Sequence, residues 1–178
     1  VKMNIEDGFS AGLSLDESVK VAKAFEKAGA SAIIPSAGFT SKTPFYMLRG
    51  NLPVKEMVRN QQNLLRKIGL SLFGRFMVQE YDFNPLFLLD GARKIKVAVN
   101  IPVIYIGGAT KKTELESLIA EGFEFIQLGR ATIRNPDFVN DLQSGKISES
   151  DCDHCNRCVA AMDGGGVYCV TAEEESNI

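Results

Sequence analysis

Cysteine is absent from this 178-residue chain before Cys152, so most of the protein cannot rely on disulfides for its stability. That absence is typical of an intracellular protein, and we expect it in the cytoplasm. No apolar run approaches the roughly 20 residues that a membrane-spanning helix needs. The 20 basic and 22 acidic residues give a net charge of −2, without the positive excess that nucleic acids and membrane surfaces attract. We therefore expect a small-molecule substrate, with no nucleic acid and no membrane as partner.

What the sequence does contain is an alternation of short apolar runs and amphipathic segments. The predicted strands are 1–5, 31–36, 101–106 and 124–128, and the predicted helices are 14–28, 54–68, 85–99, 113–122 and 131–144. Parallel strands need crossover connections, so four successive strand–helix units predict an α/β fold with a parallel sheet. Four units are half of an eightfold barrel, and this chain is shorter than the about 250 residues of a complete one.

Two glycine-containing motifs follow the last two predicted strands. Gly107 and Gly108 come after one strand, and Gly129 with Arg130 comes after the other. Glycine lets a ligand oxygen approach backbone amides closely, and arginine can bind a phosphate through two hydrogen bonds. In (β/α)₈ barrels this pair of loops is the usual phosphate site. Either motif alone is equally explained by a tight turn, whereas the two together favour phosphate binding.

All four cysteines lie in one short segment with the single histidine, His154. The spacing of Cys152, Cys155 and Cys158 lets three thiolates converge on one centre, and three consecutive glycines can bring Cys169 back as a fourth. Four thiolates suit an iron–sulfur cluster or tetrahedral zinc. Zinc sites usually take their ligands from two separate C-x-x-C pairs, so this spacing favours a cluster and leaves zinc open.

Taken together, several segments resemble the old yellow enzyme family. The resemblance is carried by Val1-Lys2-Met3-Asn4 with Asp7 and Gly12-Leu13-Ser14, by Ser36-x-Gly38, by Ile101-Pro102-Val103-Ile104 leading to Gly107-Gly108, by Leu128-Gly129-Arg130 with Arg134-Asn135-Pro136-Asp137, and by Cys155-Asn156-x-Cys158. The cysteine tail is most similar to the 2,4-dienoyl-CoA reductase and trimethylamine dehydrogenase branch of the NADH:flavin oxidoreductases. The resemblance implies an FMN-binding TIM (β/α)₈ barrel. Residues 1–150 would be its C-terminal half, about four βα units, and residues 151–178 a Cys-rich C-terminal tail.

The resemblance also implies roles for individual residues. The cofactor-binding residues would be Lys2, Ser36, Gly38, Gly107, Gly108, Gly129 and Arg130. Lys2 would meet the N1/O2 edge of the flavin, where a cation stabilises the negative charge of the reduced ring, and Arg130 would bind the FMN phosphate. Without the resemblance, Lys2 is an ordinary solvated lysine and Ser36 a turn-capping serine. The ligands of a [4Fe–4S] cluster would be Cys152, Cys155, Cys158 and Cys169.

The implied activity is hydride transfer from NADH or NADPH to FMN and then to an activated alkene or a related acceptor. The family's substrate-anchoring pair and proton-donating tyrosine lie on earlier strands, so no catalytic residue is assigned here. We therefore expect this chain to be part of a longer enzyme and to need the missing N-terminal half-barrel. Exposed sheet edges would also permit a homo-oligomer.

Two other functions fit parts of the sequence. A phosphate-binding (β/α)₈ enzyme of another class would use the glycine loops for a substrate phosphate and the cysteines for zinc. A non-catalytic half-barrel would act as an assembly module. The acidic run at 173–175 is expected to be a solvated tail.

Overall fold

The computed structural model describes residues Val1–Ser176, which form two compact units. Unit 1 comprises Val1–Met47 and Phe83–Leu128, and unit 2 comprises Leu48–Asp82 with the described residues from Gly129 onward. In chain order the elements are β1 (Lys2–Asn4), α1 (Leu15–Lys27), β2 (Ile34–Ser36), α2 (Val54–Asn60), α3 (Leu64–Met77), α4 (Leu89–Ala98), β3 (Ile104–Ile106), α5 (Lys112–Ala120), β4 (Phe125–Gln127), α6 (Arg130–Arg134), α7 (Phe138–Ser144), α8 (Arg157–Ala161) and α9 (Val170–Ser176). A short 3₁₀ turn at Met162–Gly164 follows α8.

In unit 1, parallel strands alternate with helices. β1 pairs with β2 and β3 pairs with β4, both in parallel, and a parallel bridge between Ile33 and Val103 connects the two pairs. Strands that are consecutive in the chain are therefore neighbours in space, as expected for successive βα units. The α/β character and the parallel pairing agree with the sequence prediction, and each strand is shorter than predicted.

The core of unit 1 lies between the strands and their helices. Alternation along β1 places Met3 in this core while Lys2 is exposed on the opposite side of the strand. Tyr105 is fully buried, its ring meets Phe123 edge-to-face at 5.5 Å, and its hydroxyl donates to the Gly107 carbonyl at 2.6 Å. Burial raises the pKa of the Tyr105 hydroxyl. The core therefore extends to the turn that follows β3.

The start of α1 follows the sequence prediction closely. The Ser14 hydroxyl accepts from the Glu17 amide, and the Glu17 carboxylate accepts from the Ser14 amide at 3.0 Å. This reciprocal pair satisfies amides that have no partner in the first turn of a helix. Gly29, with φ +90°, follows the helix end, where only glycine adopts the backbone without strain. The predicted capping box is confirmed.

Two helices of unit 2 differ from the prediction. The helix predicted over 54–68 is interrupted before Asn63, whose side chain caps α3 by accepting from the Arg66 amide at 3.1 Å. The helix predicted over 131–144 is divided into α6 and α7, because Pro136 excludes helical geometry from the residue before it. Asn135 is accordingly extended, with φ −130° and ψ 104°. Within the described part of the chain, no helix combines the length and the apolar character needed to cross a membrane.

Candidate functional site

The four cysteines of unit 2 line a single cavity. Cys152, Cys155 and Cys158 lie between α7 and the first turn of α8, and Cys169 immediately precedes α9. The cavity has a volume of about 200 Å³, and the cationic side chains of Arg130 and Arg134 also line it. The structure therefore brings the four predicted ligands to one shared cavity.

The loop that carries the first three cysteines contains two left-handed residues. His154 and Asn156 have φ values of +57° and +58°, a conformation that non-glycine residues adopt at local energetic cost. Asp153 supports the turn, because its carboxylate accepts from the Cys155 amide at 3.1 Å. The Ser150 hydroxyl accepts from the Cys152 amide at 3.2 Å.

Asn156 is a buried side chain that fixes this loop against another part of unit 2. It is 1% exposed, and its Nδ2 donates to the carbonyls of Leu48 at 2.5 Å and Asn51 at 3.1 Å. Its Oδ1 accepts from Nη1 of Arg130 at 2.6 Å. Asn156 belongs to the motif Cys155-Asn156-x-Cys158, and its position between two cysteines is the signal in the sequence that points to it.

Arg130 places a positive charge among the cysteines. Its Nη1 also donates to the Arg49 carbonyl at 2.7 Å. The guanidinium therefore binds both Asn156 in the cysteine loop and the backbone of Arg49. Burial lowers the pKa of the Arg130 guanidinium, while the thiolate forms of Cys152, Cys158 and Cys155 would raise it. A buried cation at this position can compensate the charge of coordinating thiolates.

Burial is also the main influence on the sulfur groups. It raises the pKa values of Cys152, Cys155 and Cys158, and the charge of Arg130 opposes this effect at Cys152 and Cys158. These thiols are therefore protonated and weakly nucleophilic at neutral pH without a metal. Burial and the charge of Arg130 lower the pKa of His154 to about 4, which keeps its imidazole neutral at pH 7.

The donor set bears on what the thiols could bind. In the described residues, no group of three His, Cys, Asp or Glu side chains is arranged to hold a metal ion. The four thiols share a cavity of about 200 Å³. Four thiolates are the donor set of iron–sulfur clusters and of tetrahedral zinc sites, so the side chains at this cavity fit either group.

The other predicted cofactor-binding residues lie mostly in unit 1, near the carboxyl ends of its strands. Asn4 and Ser36 are register partners at the ends of β1 and β2, and Gly38 follows two residues later. The Gly38 carbonyl accepts from Nδ2 of Asn4 at 2.6 Å. Carboxyl ends of parallel strands form the usual ligand-binding edge of α/β proteins. Lys2, at the first residue of β1, is on the exposed side of that strand.

The glycines of the two motifs differ in what surrounds them. Gly107 and Gly108 have φ values of +127° and +77°. A Cβ added there would lie 3.0 Å from the Leu88 side chain and 2.9 Å from the Phe87 ring, respectively. Turn geometry and packing therefore already require glycine at both positions. Gly129, which belongs to unit 2, is different, since a Cβ added there would meet no atom within 4 Å. Open space beside its backbone is compatible with a ligand.

No protein family model matches the chain. It is 33% identical over 173 residues to a 4,4'-dithiodibutanoate disulfide reductase from Rhodococcus erythropolis, an alignment that covers 97% of this chain and 42% of the relative. It is 23% identical over 168 residues to an NADH oxidase from Thermoanaerobacter brockii, covering 94% of this chain and 21% of the relative. A shorter match, 30% identical over 57 residues, covers 32% of this chain and 23% of the imidazole glycerol phosphate synthase subunit HisF from Flavobacterium psychrophilum.

These comparisons relate the chain to oxidoreductases over nearly all of its length. Both long alignments are to proteins named as redox enzymes, one of them by its use of NADH. The chain spans 42% of the length of the disulfide reductase and 21% of that of the NADH oxidase. The broad prediction of an oxidoreductase is therefore supported.

Proposed function

We propose that this chain is the cluster-binding half of an FMN-dependent NAD(P)H oxidoreductase, with Cys152, Cys155, Cys158 and Cys169 as the ligands of a [4Fe–4S] cluster. The observation that carries the proposal is the meeting of all four cysteines at one cavity beside Arg130. The similarity to two named redox enzymes supports the same class of chemistry. The four parallel strands of unit 1 would form half of a (β/α)₈ barrel, completed by a second half-barrel.

The charge of the protein environment suits a cluster. Coordinating thiolates would leave negative charge in a partly buried site, and their formation on metal binding would release protons. The guanidinium of Arg130, held by Asn156 and the Arg49 carbonyl, would offset part of that charge. A cluster in such a site accepts and donates single electrons.

The strand ends of unit 1 are the candidate edge for FMN binding, and Gly129 with Arg130 in unit 2 are the candidates for binding its phosphate. Bound flavin supplies the hydride chemistry, and the chain's own residues would position it and adjust its charge. Lys2 would stabilise negative charge at the ring, and Ser36 with Gly38 would line the edge. The acceptor would be an activated alkene or a related electrophile. A disulfide is a further acceptor class, because one relative is named for a disulfide substrate.

The test of this proposal is the composition of anaerobically purified protein. We expect a visible spectrum with flavin bands and a broad shoulder that bleaches on reduction, with iron and acid-labile sulfide near four per chain for a [4Fe–4S] cluster. Cys155→Ser should abolish the iron and sulfide. Colourless protein that contains zinc, or no metal, would refute the cluster assignment.

The phosphate assignment of Arg130 needs a separate test, because this side chain also supports the cysteine loop. Wild-type protein should bind FMN more tightly than riboflavin, which lacks the phosphate. Arg130→Ala should reduce this preference by about tenfold or more, the loss expected for a charge-assisted contact. An unchanged preference for FMN over riboflavin would show that Arg130 does not bind the phosphate.

A phosphate-binding barrel of another class with a zinc site is the second candidate, and the similarity to the HisF subunit favours it. The tight successive spacing of Cys152, Cys155 and Cys158 favours a cluster over zinc. Bound zinc at one per chain, with no flavin, would favour this candidate over the flavoenzyme.

A further inference from the structure

The segment that follows Cys169 is held by ion pairs on two sides. α9 carries Glu174 and Glu175, which contact two different arginines. Arg157 binds Glu174 through two parallel hydrogen bonds, Nη2 to Oε1 at 2.6 Å and Nη1 to Oε2 at 2.8 Å. Arg134 donates from Nη2 to Oε2 of Glu175 at 2.8 Å. The acidic run predicted to be a solvated tail is thus a helix with two of its carboxylates paired.

Each arginine also binds a second acidic residue elsewhere in unit 2. Arg157 is the residue before Cys158, and its Nε donates to Oε1 of Glu56 on α2 at 2.9 Å. Arg134 donates from Nε to Oδ2 of Asp151, the residue before Cys152, at 2.8 Å. Its Nη1 lies 4.0 Å from the sulfur of Cys169. The two arginines therefore connect α9 to the places where Cys152 and Cys158 are fixed.

We propose that Arg134 and Arg157 are positioning residues that hold α9, and with it Cys169, at the cysteine cavity. This inference rests on the proposed cluster site. Ten residues, including three consecutive glycines, separate Cys169 from Cys158. The loop that carries the other three cysteines therefore does not by itself fix the position of Cys169. The ion pairs supply that restraint. They make retention of the cluster dependent on charges that lie outside the ligand set.

The arrangement has a built-in sensitivity to salt. The arginine side chains are 14% and 23% exposed, while the carboxylates of Glu174 and Glu175 are 56% and 57% exposed. Single exposed ion pairs stabilise weakly, but here two arginines each bind two acidic groups, one of them in bidentate geometry. Because the Debye length falls to about 3 Å at 1 M salt, these contacts should weaken at high ionic strength.

The test is the rate at which iron leaves the cluster-loaded protein to a chelator at low salt. Glu174→Gln with Glu175→Gln should speed iron release by about three- to tenfold, in line with two weakened ion-pair contacts. Both residues are surface carboxylates, so the fold should persist, which thermal unfolding of the metal-free variants checks. Glu116→Gln, the same change at an exposed position on α5, is the matched control and should leave the rate unchanged.

Alkylation of the metal-free protein separates positioning of Cys169 from general loosening. The two glutamine substitutions should speed the reaction of Cys169 with iodoacetamide, measured by mass spectrometry of its peptide, and leave the rate at Cys152 within about twofold of the wild-type rate. About 1 M salt should bring the wild-type rate of iron release towards that of the glutamine variant. Equal rates of iron release in wild type and variant, or an equal acceleration of alkylation at Cys152 and Cys169, would overturn the inference. A wild-type protein that takes up no iron and sulfide would instead refute the cluster itself.

Discussion

A single buried amide, the side chain of Asn156, links Leu48, Asn51 and Arg130. Asn156→Ala would leave two carbonyls and one guanidinium hydrogen without this partner. It would also place alanine at φ +58°, where asparagine is better tolerated. We expect the free energy of unfolding, measured with urea, to fall by about 2–4 kcal/mol. Asn140→Ala, an exposed asparagine on α7, is the control and should change it little.

A backbone contact makes Gly50 another position where a small change should have a large effect. Gly50 has φ +130°, and a Cβ added there would lie 2.1 Å from the His154 carbonyl oxygen. Gly50→Ala must therefore displace the backbone of the cysteine loop. We expect a fall in the unfolding free energy of more than about 2 kcal/mol, since both strain and lost contacts contribute.

Gly69→Ala is the matched control for that substitution. Gly69 lies inside α3, and a Cβ added there would meet no atom within 4 Å. Alanine should therefore stabilise the helix by about 0.5–1 kcal/mol. If both glycine variants shifted the urea midpoint equally and in the same direction, the collision with His154 would not be the cause.

The cysteines differ from Asn156 and Gly50 in how far the sequence could predict their roles. The cysteines were identifiable because their spacing is local and their chemistry limits the interpretation. Asn156 and Gly50 were not, because their partners are distant in sequence. The bond from Asn156 to Leu48 spans 108 residues, and nothing in either segment by itself indicates it. Long-range pairing of ordinary polar residues is what a single sequence does not reveal.

At the scale of elements, the capping box of α1 provides a prediction from local structure. Ser14→Ala removes the hydroxyl that accepts from the Glu17 amide. We expect the unfolding free energy at pH 7 to fall by about 1 kcal/mol, the usual value of an N-cap hydroxyl. Ser14→Asp keeps an acceptor and should restore most of the loss. No difference between the alanine and aspartate variants would rule out capping as the cause.

The same helix start should respond to pH. The hydrogen bonds from Ser14 lower the pKa of Glu17 below its ordinary value of 4.5. A carboxyl whose pKa is lowered by folding contributes stability above its unfolded pKa, and this contribution is lost as the pH falls through the folded pKa. We therefore expect the wild type to lose this stability below pH 4.5, and Glu17→Gln to show a flatter profile there. Parallel profiles for the two proteins would contradict the assignment.

The helices also show where sequence patterns reach their limit. The start of α1 was predictable because Ser14 and Glu17 are three residues apart and need no distant partner. The break between α6 and α7 follows from Pro136. The prediction of one helix over 131–144 gave more weight to the helical spacing of apolar residues than to this proline. The pairing of Glu174 with Arg157 required the folded positions of α8 and α9. Composition alone made that acidic run resemble a solvated tail.

For the molecule as a whole, the two units offer two separate sources of stability. Unit 1 has a core of its own, in which Ile33, Tyr105 and Phe123 are almost completely buried. Unit 2 has its own buried residues, among them Phe138, Leu142, Ala160 and Ala161, and it contains the cavity lined by four cysteines. The parallel strands were predictable from their alternation with helices. The division into units was not, because the chain crosses from one to the other several times.

This difference predicts how removal of the proposed cluster should act. Metal binding stabilises the region that supplies the ligands, and local opening can differ between parts of one protein. After a chelator removes the iron, amides of α8 and α9 should exchange hydrogen at least about tenfold faster, which corresponds to about 1.4 kcal/mol. Amides of β3 in unit 1 should keep their protection, as mass spectrometry of exchanged peptides would measure. Cys155→Ser, never loaded with iron, should show the metal-free pattern from the start. Equal loss of protection in β3 and α8 would mean that the bound metal stabilises the whole protein rather than unit 2.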